Sequence, residues 1–402
     1  MFRHAYTSTR PLPIGARTGL WVAIAAFCVG CASVTGNNAE SLAQHGAQQR
    51  SALQDSSQQT PLRDTLQQLA SRYGICSVAA AVIRNREIQS IDAAQGCASE
   101  SLTTSESIFE AASLSKPVFA YAVLKLVQQG KMDLDAPVLK YLPNGYAHQS
   151  QPYLADSQID QVSDPRLQAV TIRMALNHTT GLPNWSGGPL VFDGKPGEKW
   201  EYSGEGYVLL QRAVEAVTHE NLDEFMAHQV FKPLGMTSSA YTRKAEFEKY
   251  ITPGSNRDGA SMKPWPFRVP VSAFTLYTSA RDYGLFLAAL LKDERSLRQI
   301  VESPVPVNPK LNLSWGLGWG LEQNRDDVVL WHWGNNPGYR AFVMASPRTG
   351  DGFVMFTNSD SGLALAEPIG EKVLAGPHKV YRFHLLREGL DNLLCEMFDV
   401  CL

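Results

Sequence analysis

Apolar positions change their spacing along the chain, and the changes mark out its elements. Between Thr65 and Tyr73, Leu66, Leu69 and Ala70 recur at helical intervals. The run Ser77 to Ile83 is almost wholly apolar, Ile88 to Ile91 alternates, and Asn85-Arg86 lies between them, which predicts a hairpin. From Ser113, the positions Val118, Ala122, Val123, Leu126 and Val127 return to helical spacing, and Gly130 stands where a left-handed cap belongs. Leu134 to Leu142 and a long polar insertion from Pro143 to Asp164 follow, then a short helix within Thr171 to Leu182 stopped by Gly181 and Pro183. A glycine-broken loop from Pro196 leads into a helix carrying Leu210, Ala213, Val214 and Val217. Asn221 with Glu224 reads as a capping box opening the next helix, and Ser279 to Leu291 is amphipathic. The last third changes period. Leu317 to Leu321, Val328 to His332, Tyr339 to Ala345 and Gly352 to Thr357 are short strand-like runs, and Gly316, Gly318 and Gly320, in a strand with Trp315 and Trp319, read as close backbone approaches. The economical arrangement is an α+β fold: one antiparallel sheet built from both chain ends with flanking helices, and a mostly helical lobe inserted between.

Length and charge narrow the function classes. The 402 residues, 44% hydrophobic, support a large core, and a formal net charge of −3 without a Lys/Arg cluster gives no nucleic-acid footprint. Arg3, Arg10 and Arg17 before the uncharged run Gly19 to Gly30 make residues 1–31 an export signal, with a polar tether over 32–61, the folded domain over 62–385 and a tail over 386–402. Phe27-Cys28-Val29-Gly30-Cys31 resembles a bacterial lipobox with Cys31 as the lipidated residue; simple cleavage after Ala32 is the alternative. The expected location is the periplasm, at the outer membrane if Cys31 carries lipid, and a lipid anchor is the only membrane contact expected. In an oxidising compartment the remaining cysteines pair most economically as Cys76 with Cys97, flanking the hairpin, and Cys395 with Cys401.

The candidate chemistry centres on the chain's single Ser-x-x-Lys, Ser113-Leu114-Ser115-Lys116. At i and i+3 on a helical face, Lys116 reaches the Ser113 hydroxyl, and the helix start leaves the Ser113 N–H free for an anion. His178, closing a helix beside a turn, reads as structural. There is no Gly-x-Ser-x-Gly, no His-Glu-x-x-His, no Walker A and no close Cys/His set, so neither a metal nor a cofactor is expected.

Ser113-Leu114-Ser115-Lys116, Tyr202-Ser203-Gly204 and His332-Trp333-Gly334, in that order, resemble the serine β-lactamase and penicillin-binding protein family, specifically its class C branch. The likeness extends over Phe109 to Leu142, Val170 to Pro183, Pro196 to Met236, Thr278 to Leu291 and Trp315 to Ser359. It implies a β-lactamase/transpeptidase-like fold, with Ser113 as nucleophile, Lys116 as its activator and Tyr202 as the base that shuttles the proton to the leaving group. For Lys and Tyr to work as bases near neutrality, the site is expected to depress both pKa values. The oxyanion hole is expected to combine the N–H groups of Ser113 and Asn335, the latter on an edge strand, with His332, Trp333, Gly334 and Gly204 bordering the substrate. Two departures bear on substrate. β-Lactamases carry asparagine two residues after the tyrosine, where this chain has Gly204, and commonly Lys-Thr-Gly where it has His-Trp-Gly. The resemblance implies that the first loses a side-chain contact to the lysine and the substrate amide and that the second weakens a carboxylate anchor, so the expected activity is acyl-enzyme hydrolysis of carboxylic esters or small amides. The alternatives are a β-lactamase or D-amino-acid peptidase and, outside enzymes, a catalytically silent binding protein of the penicillin fold. The expected partner is a small ester, amide or peptide substrate.

Overall fold

A computed structural model describes residues 61–97, 102–374 and 376–386. The export segment, Cys31, most of the tether, Cys395, Cys401 and the tail beyond Leu386 lie outside the described residues.

Helix α1 (Pro61–Tyr73) precedes a hairpin of β1 (Val78–Arg84) and β2 (Glu87–Ala94). Asn85 and Arg86 take φ of 49° and 67° at its turn, the two-residue geometry that matches strand twist. A disulfide joins Cys76 to Cys97 at the open end of this hairpin. Strand β3 (Ile108–Glu110) runs through a single 3₁₀ turn, Ala112–Leu114, into α2 (Ser115–Gln128), and Gly130 beyond it has φ 72°. The polar insertion holds a small hairpin, β4 (Ala147–Gln149) with β5 (Ile159–Gln161). The inserted lobe continues with α3 (Ile172–Leu176), α4 (Gly204–Thr218) and α5 (Leu222–Met226). The Asn221 carboxamide accepts the Glu224 N–H, as a capping residue does. A short pair, β6 (Gly254–Ser255) with β7 (Ser261–Met262), then β8 (Tyr277–Ser279), which pairs with β3, lead into α6 (Ala280–Lys292) and α7 (Glu294–Val301).

The remainder is a meander: β9 (Val305–Asn308), β10 (Leu313–Trp315), β11 (Gly320–Asn324), β12 (Asp327–Asn336), β13 (Tyr339–Ser346) and β14 (Asp351–Thr357), closed by α8 (Ala366–Val373). The sheet has eight strands in the order β2-β1-β14-β13-β12-β11-β10-β9, all antiparallel, so the two chain ends meet where Val78 pairs with Thr357. Strand β1 is buried on both faces, which explains its unbroken apolar run. Ala79, Ala81 and Ile83 face the cluster that includes α2 and α6, while Val78, Ala80 and Val82 face α1 and α8. Small residues set the first spacing: a Cβ on Gly284 of α6 would come within 2.9 Å of the Ala81 Cβ.

Two expectations are corrected. Gly316 to Trp319 form the turn between β10 and β11 rather than part of a strand, with Gly318 at φ 82°. The close approach itself is real, since a Cβ on Gly316 would lie 2.0 Å from the Ile300 carbonyl oxygen. The sequence pattern does not show β9 and reaches β10 only at Trp315; Val-Pro-Val-Asn and Leu-Ser-Trp are too short to show a period.

Candidate active site

Ser113 lies in the 3₁₀ turn that opens α2, and the sheet presses directly against this turn. A Cβ on Gly334 of β12 would sit 2.4 Å from the Ala111 carbonyl oxygen, so only glycine lets the two backbones meet. The turn is stitched from several sides. Ser115 Oγ donates to the Ala112 carbonyl and accepts the Leu276 N–H, while the Tyr283 and Tyr241 hydroxyls donate to the Leu114 and Ser115 carbonyls. Ala112 has φ 49°, a left-handed conformation costly for alanine, immediately before the candidate nucleophile.

Lys116 Nζ lies 3.3 Å from Ser113 Oγ and donates to the Ala273 carbonyl at 2.9 Å. Among the described residues it pairs with no carboxylate, and its amine instead lies 4.7 Å from the centre of the Tyr202 ring. Burial alone, disfavouring the ammonium, brings the Lys116 pKa down to about 7. Tyr202 goes the other way. Burial raises its pKa, only partly offset by the Ser113 hydroxyl, so the expected depression of the tyrosine is corrected: desolvation favours the protonated phenol. Its hydroxyl faces Ser113 without a hydrogen bond of ordinary geometry to any described residue.

Tyr202 is held by stacking. His178 lies 4.4 Å from it and Trp333 4.9 Å, centre to centre. His178 Nδ1 also accepts the Ser203 N–H, so this histidine orients the tyrosine loop from behind. Burial and the Lys116 and His332 charges hold the His178 pKa well below its ordinary value.

His332 does not border the substrate space. It is fully buried, its Nδ1–H donates to the Trp333 carbonyl, and burial with the Lys116 charge lowers its pKa to about 3. Gly334 and Gly204 are packing positions too, while Trp333 and Asn335 do reach the cavity. Strand β12 is not an edge strand, because β13 and β11 flank it. The register restores the idea locally. Pairing with β11 ends at Gly320 with Trp331, while pairing with β13 continues to Asn336 with Tyr339 across a two-residue turn. Since hydrogen-bonded and non-hydrogen-bonded pairs alternate, the Asn335 N–H points away from β13 into the space β11 has vacated.

The cavity beside Ser113 has a volume of about 920 Å³, and its described wall contains no Lys, Arg, Asp, Glu or His. It is aromatic: Tyr153 comes from the insertion, Trp185 from the loop before α4, and Trp265, Phe267 and Phe274 from the segment before β8. The indole of Trp185 fills the space next to Gly204, where a Cβ would meet it at 2.6 Å. Two buried carboxylates brace this wall. Glu205, in the first turn of α4, accepts the Ser186 N–H and faces His148, which in turn bonds Asp160. Glu110 accepts the Trp265 N–H and the Asn336 carboxamide, and burial raises its pKa to about 7. None of the aromatic wall residues Tyr153, Trp185, Trp265, Phe267 and Phe274 is picked out by the sequence motifs; Tyr153 and Trp185, large rings within polar stretches, are the available signal. Among the described residues no group of His, Cys, Asp and Glu side chains could hold a metal, and no helix is long and apolar enough to cross a membrane.

Comparison with known proteins agrees with the fold. Two curated relatives are penicillin-binding protein 4* of Bacillus subtilis (strain 168), 26% identical over 286 residues, and protein flp of Staphylococcus aureus (strain MRSA252), 24% identical over 281. These alignments cover 59% and 63% of this chain but only 58% and 53% of those proteins, so the chain spans a little over half their length. Among solved structures, the D-amino acid amidase of Ochrobactrum anthropi SV3 complexed with L-phenylalanine superposes with a TM-score of 0.62 at 22% identity, covering 76% of this chain and 94% of that one. The octameric penicillin-binding protein homologue of Pyrococcus abyssi gives 0.61 at 20%, covering 77% of each chain. The beta-lactamase family model matches residues 62–374, most of the chain, and the chain therefore belongs to the beta-lactamase family.

Proposed function

We propose that the protein is a serine hydrolase that cleaves carboxylic esters or small amides through an acyl-enzyme on Ser113. The carrying observation is the buried Lys116 amine, unpaired with any described carboxylate and 3.3 Å from Ser113 Oγ. With its pKa near 7 a substantial fraction of the amine is neutral at neutral pH, so it can take the Ser113 proton as the oxygen attacks the substrate carbonyl. The developing oxyanion would be met by the N–H groups of Ser113 and Asn335; one such donor is typically worth about 10²–10³ in rate. Tyr202, as a neutral phenol between lysine and cavity, gives its proton to the leaving oxygen or nitrogen and is reprotonated from the Lys116 ammonium. Water then attacks the acyl carbon by the same relay in reverse, releasing the acid and restoring Ser113.

The uncharged cavity wall favours this reading over turnover of β-lactams or of peptides ending in a carboxylate, whose negative group would find no cation there. Export, a lipid on Cys31 and the periplasmic location remain part of the proposal. A fluorophosphonate probe tests the nucleophile: labelling of wild type, abolished in Ser113→Ala, is expected, and unlabelled wild type points to a silent binding protein. A nitrophenyl ester, a chromogenic cephalosporin and a D-alanyl dipeptide, run side by side, test the class. Cephalosporin turnover above ester turnover would reverse the ranking.

A further inference from the structure

Two indoles at the mouth of the cavity are conspicuously exposed for rings of their size: Trp185 at 44% and Trp265 at 46%. Single exposed hydrophobic residues need no explanation, but these two are neither isolated nor loosely held. Trp185 meets Phe274 edge to face at 5.2 Å, and Trp265 meets Tyr153 edge to face at 6.0 Å. Tyr153 and Phe274 meet each other at 5.9 Å and 80°, so they form a continuous aromatic floor between the indoles. Each indole is also anchored through its backbone by a buried carboxylate. The amide after Trp185, that of Ser186, donates to Glu205 at 2.9 Å; the amide of Trp265 itself donates to Glu110 at 2.8 Å. Asn184 adds a second clamp, accepting the Gly204 N–H on its carboxamide oxygen and the Glu205 N–H on its carbonyl. Two half-exposed rings whose backbones are tied to buried carboxylates form a preorganised surface, and preorganisation lowers the entropy cost of binding.

We propose that Trp185 and Trp265, over the Tyr153 and Phe274 floor, form a subsite for a flat aromatic group on an uncharged ester or amide substrate. The proposal rests on the hydrolase reading and names its substrate class. The absence of charged side chains from the wall rules out a carboxylate or phosphate as the recognised group, since no partner would replace its water. Size and hydrophobicity alone would admit a saturated ring as well. The edge-to-face arrangement selects the aromatic one, because a flat guest continues the pattern of ring edges against ring faces that the floor already uses.

The test compares matched substrates of similar intrinsic reactivity: benzyl with cyclohexylmethyl esters on the alcohol side, and phenylacetyl with cyclohexylacetyl esters on the acyl side. Wild type is expected to favour the aromatic member of at least one pair by about tenfold in kcat/KM, the upper range of a ring–ring contact. That preference should fall below about twofold in Trp185→Ala and Trp265→Ala and survive in Trp185→Phe and Trp265→Phe. Fluorophosphonate labelling of Ser113 is followed in every variant. Labelled wild type with no preference in either pair, or a preference that persists in both alanine variants, overturns the subsite alone. Unlabelled, inactive wild type overturns the hydrolase reading and the subsite with it.

Discussion

Replacing Lys116 with methionine should cripple activity and stabilise the protein, and the stabilisation should depend on pH in a defined direction. Methionine keeps an unbranched stem of similar reach and removes the buried amine. A fall in pKa from 10.5 to about 7 corresponds to about 5 kcal/mol of penalty on the charged form in the folded state. The unfolded lysine titrates near 10.5 and the folded one near 7, so between these values the unfolded chain binds more protons and stability rises with pH. Below 7 both states are protonated and the folded state bears the whole penalty; above about 10.5 neither is charged and the penalty is gone. The variant escapes this penalty but leaves the Ala273 carbonyl without the Lys116 donor, which costs about 1–3 kcal/mol. The net gain at pH 6 should therefore be about 2–4 kcal/mol and shrink towards zero or reverse at pH 10. Urea unfolding of wild type and Lys116→Met at pH 6, 8 and 10 measures it. A variant less stable than wild type at pH 6, or a difference that does not change with pH, would refute the buried, uncompensated amine. Loss of the base should meanwhile cost about 10²–10⁴ in kcat.

Three further outcomes are expected. In kcat/KM against pH, a rising limb should have its midpoint near 7 from Lys116, and Tyr202→Phe should lower the plateau without moving that midpoint, because burial keeps the phenol protonated; a displaced midpoint would assign the limb to the tyrosine. Gly334→Ala should lose about 1–3 kcal/mol in thermal unfolding together with activity, since its Cβ would meet the Ala111 carbonyl at 2.4 Å and push the Ser113 turn off β12. Replacing Cys76 and Cys97 together by serine should cost about 3 kcal/mol by the loop-entropy estimate for a separation of 21 residues, and an unchanged urea midpoint would show that the bridge does not constrain the unfolded chain.

Much of the fold was legible because its signals are local. The Asn85-Arg86 turn, the apolar run of β1, the helical spacing after Ser113 and the Asn221 cap each depend on residues a few positions apart. Strands β9 and β10 escaped for the opposite reason: three or four residues carry no period, and their place at the sheet edge comes from pairing with a strand that follows. Within the site, spacing along the chain predicted that Lys116 reaches Ser113, as a three-residue step on one helical face requires. The order of motifs, by family resemblance, pointed to Tyr202 and Asn335.

Protonation, depth and shape were another matter. The sequence suggests a depressed tyrosine, with His332 and Gly204 beside the substrate. Folding buries the phenol, sinks the histidine behind Trp333, and packs the Trp185 indole against Gly204. The sequence by itself determined which groups could react, because a hydroxyl and an amine on one helical turn are neighbours in any fold that keeps the helix. Only the tertiary structure decided their charge states and the surface a substrate meets. Desolvation and cavity shape are sums over side chains distant in sequence, and no local pattern encodes them.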